Sequence, residues 1–318
     1  MTTPAIEPPP ATSARLGNTH VSTYEQVTNR IIALLEAGTV PWQKPWKVMT
    51  GMPRNLVSKR PYRGINLLML MASDFESPFW LTFRQANELG GHIRKGEKAT
   101  PVVFWKQLKK LAPSEGIVPE DEAPQPDPTE RKRPRVVARL YSVFNVSQTE
   151  GLKNVPTLPD QLGTLTEPAK VYENMPARPV IKHGMRSAFY SPLDDVIGLP
   201  TLTRFTSEAA YFSALWHELC HASGASKRLN RPTLTESQGF GSDPYCKEEL
   251  IAEMGAAFLC AHTGIAERTV ENSAAYLQSW LGRLKADKTL IVSAAAQAQQ
   301  AVDYILGTKP AVAQKGVE

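Results

Sequence analysis

Trp216-His217-Glu218-Leu219-Cys220-His221 constrains this chain more than any other stretch. Residues four apart lie on one face of a helix, one turn from each other. Two imidazoles so placed, at His217 and His221, can hold one Zn²⁺, and Glu218 between them stands where hydrolysis needs a base. The flanks agree with a helix. Thr206 or Ser207 is a suitable N-cap, Glu208 suits the first turn, and Gly224 stops the run just past the second histidine. Cys220 falls between the histidines but faces away from them on a helix, which assigns it to packing.

A hydrolytic zinc site takes a third protein ligand and leaves the fourth position open. The next acidic stretch is Glu248-Glu249-Leu250-Ile251-Ala252-Glu253, running into the apolar Met254-Gly255-Ala256-Ala257-Phe258-Leu259. Carboxylates on a buried helix are costly unless paired or bound to metal. Glu249 and Glu253 are four apart and share a face. Glu249 is expected as third ligand, with Glu253 behind it accepting a hydrogen bond from a ligand histidine; the exchange of these two roles stays open. Glu248 reads as a solvated carboxylate of the first turn. For oxyanion support the chain offers Tyr245 or Arg228. Zn²⁺ is the expected ion, and another divalent transition metal would fit the same donors.

With 318 residues, two domains of ordinary size are expected. Residues 1–20 read as a disordered leader without the basic-then-apolar order of a secretory signal. No apolar run approaches membrane-spanning length, so no membrane partner is expected. Three cysteines, an odd number without repeated spacing, fit a cytoplasmic protein. The divisions expected are an N-terminal domain over 21–150, a connector over 151–179, a second domain over 180–308 and a tail over 309–318. A Pro- and acid-rich insertion covers 111–135.

Charge is uneven. Residues 1–150 hold 20 Lys and Arg against 14 Asp and Glu, and four of the six tryptophans. A basic region interleaved with aromatics suits single-stranded nucleic acid: cations track phosphates and flat rings stack on unpaired bases. The places where ring and cation coincide are Trp42 with Lys44, Trp46 with Lys47, Tyr62 with Arg63, and the hairpin tip Arg94, Lys95 and Lys98. In this part Ser22-Thr23-Tyr24-Glu25 opens a helix reaching about Glu36. Pro101–Leu108 and Val136–Val146 read as paired strands. The fold class is α+β: a small α+β N-terminal domain, then a mainly helical metallopeptidase-like domain with a short sheet.

Beyond composition, a series of motifs in order resembles a known family. Tyr24-Glu25-Gln26-Val27, Leu35-Glu36-Ala37-Gly38-Thr39-Val40-Pro41-Trp42, Tyr62-Arg63-Gly64-Ile65-Asn66, Trp80-Leu81-Thr82-Phe83, Arg94-Lys95-Gly96-Glu97 and Val143-Phe144-Asn145 are similar to the N-terminal domain of ArdC-type antirestriction proteins, a domain shared with TraC-type plasmid primases. Phe189-Tyr190-Ser191-Pro192, Asp195-Val196-Ile197, the His-Glu-x-x-His motif, Arg228-Leu229-Asn230-Arg231 and Glu248–Glu253 resemble the zincin-like domain fused to it. The resemblance spans Tyr24 to about Gly307. It implies single-stranded DNA as partner, a plasmid or other mobile element as source, and protection of incoming DNA from host restriction during conjugation. Host restriction-system proteins are then the natural peptidase targets. Two other readings stay open: a DNA-binding protein that acts sterically with a non-catalytic metal site, and a primase-associated DNA-processing protein.

Overall fold

The computed structural model describes residues 22–43, 51–73, 75–107, 136–153, 155–156, 167–236, 242–265 and 274–308. Helix α1 (Thr23–Glu36) starts where the Ser22 hydroxyl accepts from the amide of Glu25 at 3.1 Å. Val27, Thr28, Ile31, Ile32 and Leu35 recur at helical spacing and form its buried face. Gly38 then turns the chain at a φ of +77°, a left-handed conformation that glycine adopts without steric cost. A four-stranded sheet follows in the order β1-β2-β5-β4. Its strands are β1 (Arg54–Asn55), β2 (Phe79–Thr82), β4 (Thr100–Gln107) and β5 (Val136–Asn145). Between them lie α2 (Ile65–Met71), buried on every side, and α3 (Phe83–Glu88), opened by a Thr82–Gln85 capping box. The short β3 (His92–Ile93) pairs with β6 (Thr149–Glu150).

The edge of this sheet is closed by a side chain. Asn66 donates to the carbonyl of Val103 at 2.7 Å and accepts from its amide at 2.6 Å. The carboxamide thus imitates a neighbouring strand and satisfies a peptide group that an edge leaves open.

Beyond the insertion, α4 (Pro168–Asn174) lies inside the stretch read as a connector. Val171 enters the core, with Met175 four residues on. A three-stranded sheet has the order β7-β9-β8, from β7 (Val180–His183), β8 (Phe189–Ser191) and β9 (Val196–Leu199). Helices α5 (Glu208–Ser223), α6 (Pro232–Thr235), α7 (Asp243–Thr263), α8 (Ala274–Ala286) and α9 (Leu290–Ile305) complete the chain. The whole is an α+β mixture whose C-terminal part is mainly helical.

One apolar core runs from Val27 and Trp42 through Trp216 and Phe258 to Ile305. N-terminal and C-terminal parts therefore share their interior. Polar ties cross the same junction: Thr28 donates to the carbonyl of Lys288 at 2.6 Å, the amide of Gly64 donates to Gln299 at 2.9 Å, and Arg63 pairs with Asp303.

Helices α5 and α7 approach closely because Gly255 has no side chain. A Cβ there would stand 2.4 Å from the sulfur of Cys220. Both residues are buried, so neither side can yield into solvent. Gly255→Ala is expected to cost about 1–3 kcal/mol through overpacking, read as a lower urea midpoint at unchanged slope.

Candidate metal centre

Helix α5 is capped by Ser207, whose hydroxyl accepts from the amide of Ala210 at 3.0 Å. Trp216, Leu219 and Cys220 bury its inner side, and this fixes where the other residues point. Their ring nitrogens meet: Nε2 of His217 lies 3.1 Å from Nε2 of His221. Two nitrogens bound tetrahedrally at about 2.0–2.1 Å from one zinc ion stand roughly 3.3 Å apart, so the pair is already at chelating separation. From α7, Glu249 brings its two oxygens to 3.5 Å from His217 Nε2 and 3.7 Å from His221 Nε2. One donor atom from each of the three lies within 4.8 Å of the others. Two imidazoles and one carboxylate suit a divalent transition metal.

Charge around the cluster is consistent with a cation. Burial pushes the His217 imidazolium down, but the hydrogen bond to Glu249 and the charges of Glu218, Glu253 and Glu249 outweigh it and lift its pKa to about 9. Glu249 is held below the ordinary carboxylate range: burial opposes this, and the hydrogen bond from His217 with the two ring charges prevails. Tyr245, one turn before Glu249, hydrogen-bonds that carboxylate; burial and the Glu249 charge push its phenol up to about 12.

Glu248 departs from the reading of the sequence. It is not a solvated first-turn carboxylate; it is buried at 3 % exposure. Arg231 grips it with two bonds, one of them Nε to Oε2 at 3.0 Å, and Thr233 donates at 2.5 Å. Arg231 also donates to the Ser223 hydroxyl at 2.8 Å and the Cys220 carbonyl at 2.6 Å. Nδ1 of His221 stands 3.3 Å from Oε1 of Glu248. The carboxylate behind His221 is thus Glu248, where Glu253 was expected behind a histidine. Glu253 instead accepts from the Gln43 carboxamide at 3.2 Å, a link from the N-terminal part to the edge of the metal site. Its charge still reaches His217. Burial raises the Glu248 pKa, yet the bonds from His221 and Arg231 bring it down to about 2.

Arg228 is not an oxyanion donor. Its guanidinium is fully buried and clamps Asp195, the carbonyl of Ala222 at 3.0 Å and that of Ala177 at 2.7 Å. The Arg228–Arg231 motif therefore does two jobs: its first arginine ties α5 to the small sheet, its last fixes Glu248. Cys220 packs against Gly255, as a residue on the far side of the helix should.

The expected DNA contacts fare unevenly. Trp42 is wholly buried, edge-on to Trp280 at 6.2 Å, and Tyr62 is 8 % exposed. Neither ring can receive a base in this conformation, because the C-terminal helices and the sheet cover them. Arg63 is two-thirds buried and spent on Asp303. Arg94 is exposed and pairs with Glu97 at 2.6 Å, while Lys95 and Lys98 are exposed. Lys44, Trp46 and Lys47 lie outside the described residues. Among the described residues no helix is long and apolar enough to cross a membrane.

Fold and site together define a zincin-like metallopeptidase domain built onto a small α+β domain. Residues 172–297 match the family described as zincin-like metallopeptidase, and residues 21–144 match the N-terminal domain of anti-restriction factor ArdC. The crystal structure of antirestriction ArdC protein from R388 plasmid in its metal-free form is 35 % identical, with a TM-score of 0.67 over 89 % of this chain and 96 % of that one. Its Mn(II)-bound form is 37 % identical, with a TM-score of 0.68 over 90 % and 97 %. The chain belongs to the ArdC family of antirestriction proteins. It is also 35 % identical to the uncharacterized protein y4eC of Sinorhizobium fredii (strain NBRC 101917 / NGR234), over 92 % of this chain and 94 % of that one. Two DNA primases TraC of Escherichia coli are 35 % and 34 % identical over 89 % of this chain, which spans 27 % and 20 % of their lengths.

Proposed function

We propose that this protein binds single-stranded DNA through its N-terminal part and hydrolyses a peptide bond at the metal site of its C-terminal part. It thereby shields plasmid DNA from host restriction during conjugation. The observation that carries the enzymatic half is the convergence of His217, His221 and Glu249 with Glu218 buried beside them. A purely structural site would have no use for that second carboxylate. Zn²⁺ is the ion best suited to two imidazoles and a glutamate; the Mn(II)-bound form of the R388 protein supports a broader divalent preference.

A bound ion supplies Lewis-acid activation of water and of the scissile carbonyl. The rest falls to the chain. Glu218 takes a proton from the attacking water and returns it to the departing amide nitrogen. Glu248 accepts from His221 Nδ1–H, which leaves the Nε2 lone pair aimed into the site. Tyr245 orients the carboxylate of Glu249. Strand β8, at an edge of the small sheet beside α5, offers an extended peptide main-chain partners by strand addition.

Three measurements test the site and the function. Glu249→Ala should lose the stoichiometric ion, while Glu253→Ala keeps it; metal analysis showing the reverse would exchange their roles. Restriction-system subunits should be cut by the wild type and left whole by Glu218→Gln, with and without single-stranded DNA. Intact subunits in both arms would leave only a steric role. Affinity for single strands should fall with salt at a slope of about −0.7 for each phosphate neutralised. A flat response, or a preference for duplex, would count against the N-terminal assignment.

A further inference from the structure

We propose that the sheet face carrying Phe104, Arg139 and Tyr141 is the platform on which bases of unpaired DNA stack. The inference rests on the single-strand reading above and gives it a place. In the β4–β5 pair Phe104 lies opposite Arg139, and Val102 opposite Tyr141. Directly opposed residues share a face, so these four stand on one side of the sheet. Toward the body of the protein that side is closed, with Val102 and Val143 packed against Tyr62, Leu70 and Trp80. Further out it is open: Tyr141 is 43 % exposed and Val137 39 %.

Three features point to a nucleic acid as occupant. The rings of Phe104 and Tyr141 meet edge to face at 5.2 Å and 89°. Tyr141 is therefore braced on one side while much of its ring faces solvent, so stacking a base costs little ordering entropy. Arg139, exposed, stands two residues from Tyr141 along the same face, a distance of about 6.6 Å on a strand. A cation is thus set beside a flat ring, as base stacking with phosphate tracking requires. Neither strand contains an aspartate or a glutamate: β4 reads TPVVFWKQ and β5 VVARLYSVFN. A polyanion therefore meets no repelling carboxylate on these two strands, and the exposed ring beside a cation favours unpaired bases over an acidic peptide, which has no flat rings to stack. Of the rings expected from the sequence, Trp42 and Tyr62 are buried and Trp46 lies outside the described residues, whereas Tyr141 is open to a base.

Fluorescence anisotropy of a labelled oligothymidylate on the full chain tests this. Tyr141→Ala should bind about 5- to 150-fold more weakly, and Tyr141→Phe close to wild type. Arg139→Gln should flatten the logarithmic salt slope by about 0.7. Trp105→Ala is the control, since Trp105 is 40 % exposed but sits opposite Ala138, on the other face. It should bind within about twofold of wild type, the size of effect a residue outside the contact has. Thermal melts check that each variant is folded. Wild-type affinity in Tyr141→Ala together with an unchanged slope in Arg139→Gln overturns the platform and leaves the single-strand reading intact. A large loss confined to Trp105→Ala does the same. A wild-type protein that ignores the oligonucleotide removes both.

Discussion

Arg231→Met should destabilise the protein by about 3–5 kcal/mol, because it strands a buried charge. Arg231 and Glu248 are 4 % and 3 % exposed, and the guanidinium supplies two of the bonds that Glu248 accepts. With arginine gone, the carboxylate keeps Thr233 and His221 but loses the buried guanidinium, whose charge is permanent. The Ser223 hydroxyl and the Cys220 carbonyl lose a donor in the same step. The pair as a whole is a different matter. Two buried ions give back in attraction roughly what their desolvation cost, so the double variant Arg231→Met, Glu248→Leu should regain much of the loss. Urea denaturation of the two single variants and the double one measures this coupling. A single-variant loss below about 1 kcal/mol, the size expected of a solvated pair, would mean that water reaches Glu248. The cycle also separates stability from function: the double variant should fold yet hold its ion more weakly, by about 10- to 100-fold, since His221 then lacks its carboxylate.

Range explains why the sequence discloses the face shared by Glu249 and the two histidines but not the burial of Glu248. The spacing of His217, His221, Glu249 and Glu253 is a property of two helices, and local periodicity discloses it. The caps at Ser22 and Ser207 and the β4–β5 pairing are legible for the same reason. Glu248 depends on Arg231, 17 residues earlier and outside the reach of helical periodicity. An imidazole also has two nitrogens on different edges. Glu249 approaches the Nε2 edge of His221 and Glu248 the Nδ1 edge, so neighbouring carboxylates serve one ring from two sides. Helical-face reasoning, which groups residues four apart, sets Glu253 beside Glu249 and passes over the residue next to it. The N-terminal aromatics fail for a related cause. Trp42 sits in a Pro- and Lys-rich loop whose composition looks solvated, but its ring meets Trp280, 238 positions on. No local pattern reveals that the two parts of the chain share a core. Tyr141 was passed over in turn because alternation marks strand faces without saying where the covering layer ends.

Glu218→Gln should slow peptide hydrolysis by about 10²- to 10⁴-fold, the range set by loss of a positioned general base, while metal content stays at the wild-type level. Among the described residues four carboxylates surround the paired histidines, and three are committed elsewhere. Glu249 stands among the donor atoms. Glu248 is engaged by Arg231, Thr233 and His221. Glu253 accepts from Gln43. Glu218 lies on the same helix as the two imidazoles, and its charge is felt at both His217 and Tyr245. Glutamine keeps its shape and removes only the capacity to take a proton, so KM should hold while kcat falls. Metal analysis and turnover on one preparation decide the matter. If Glu218→Gln cuts as fast as wild type and Glu253→Gln does not, the base is Glu253, and Gln43 becomes the group that orients it. If Glu218→Gln loses the ion along with activity, Glu218 would serve as a ligand and not as the base.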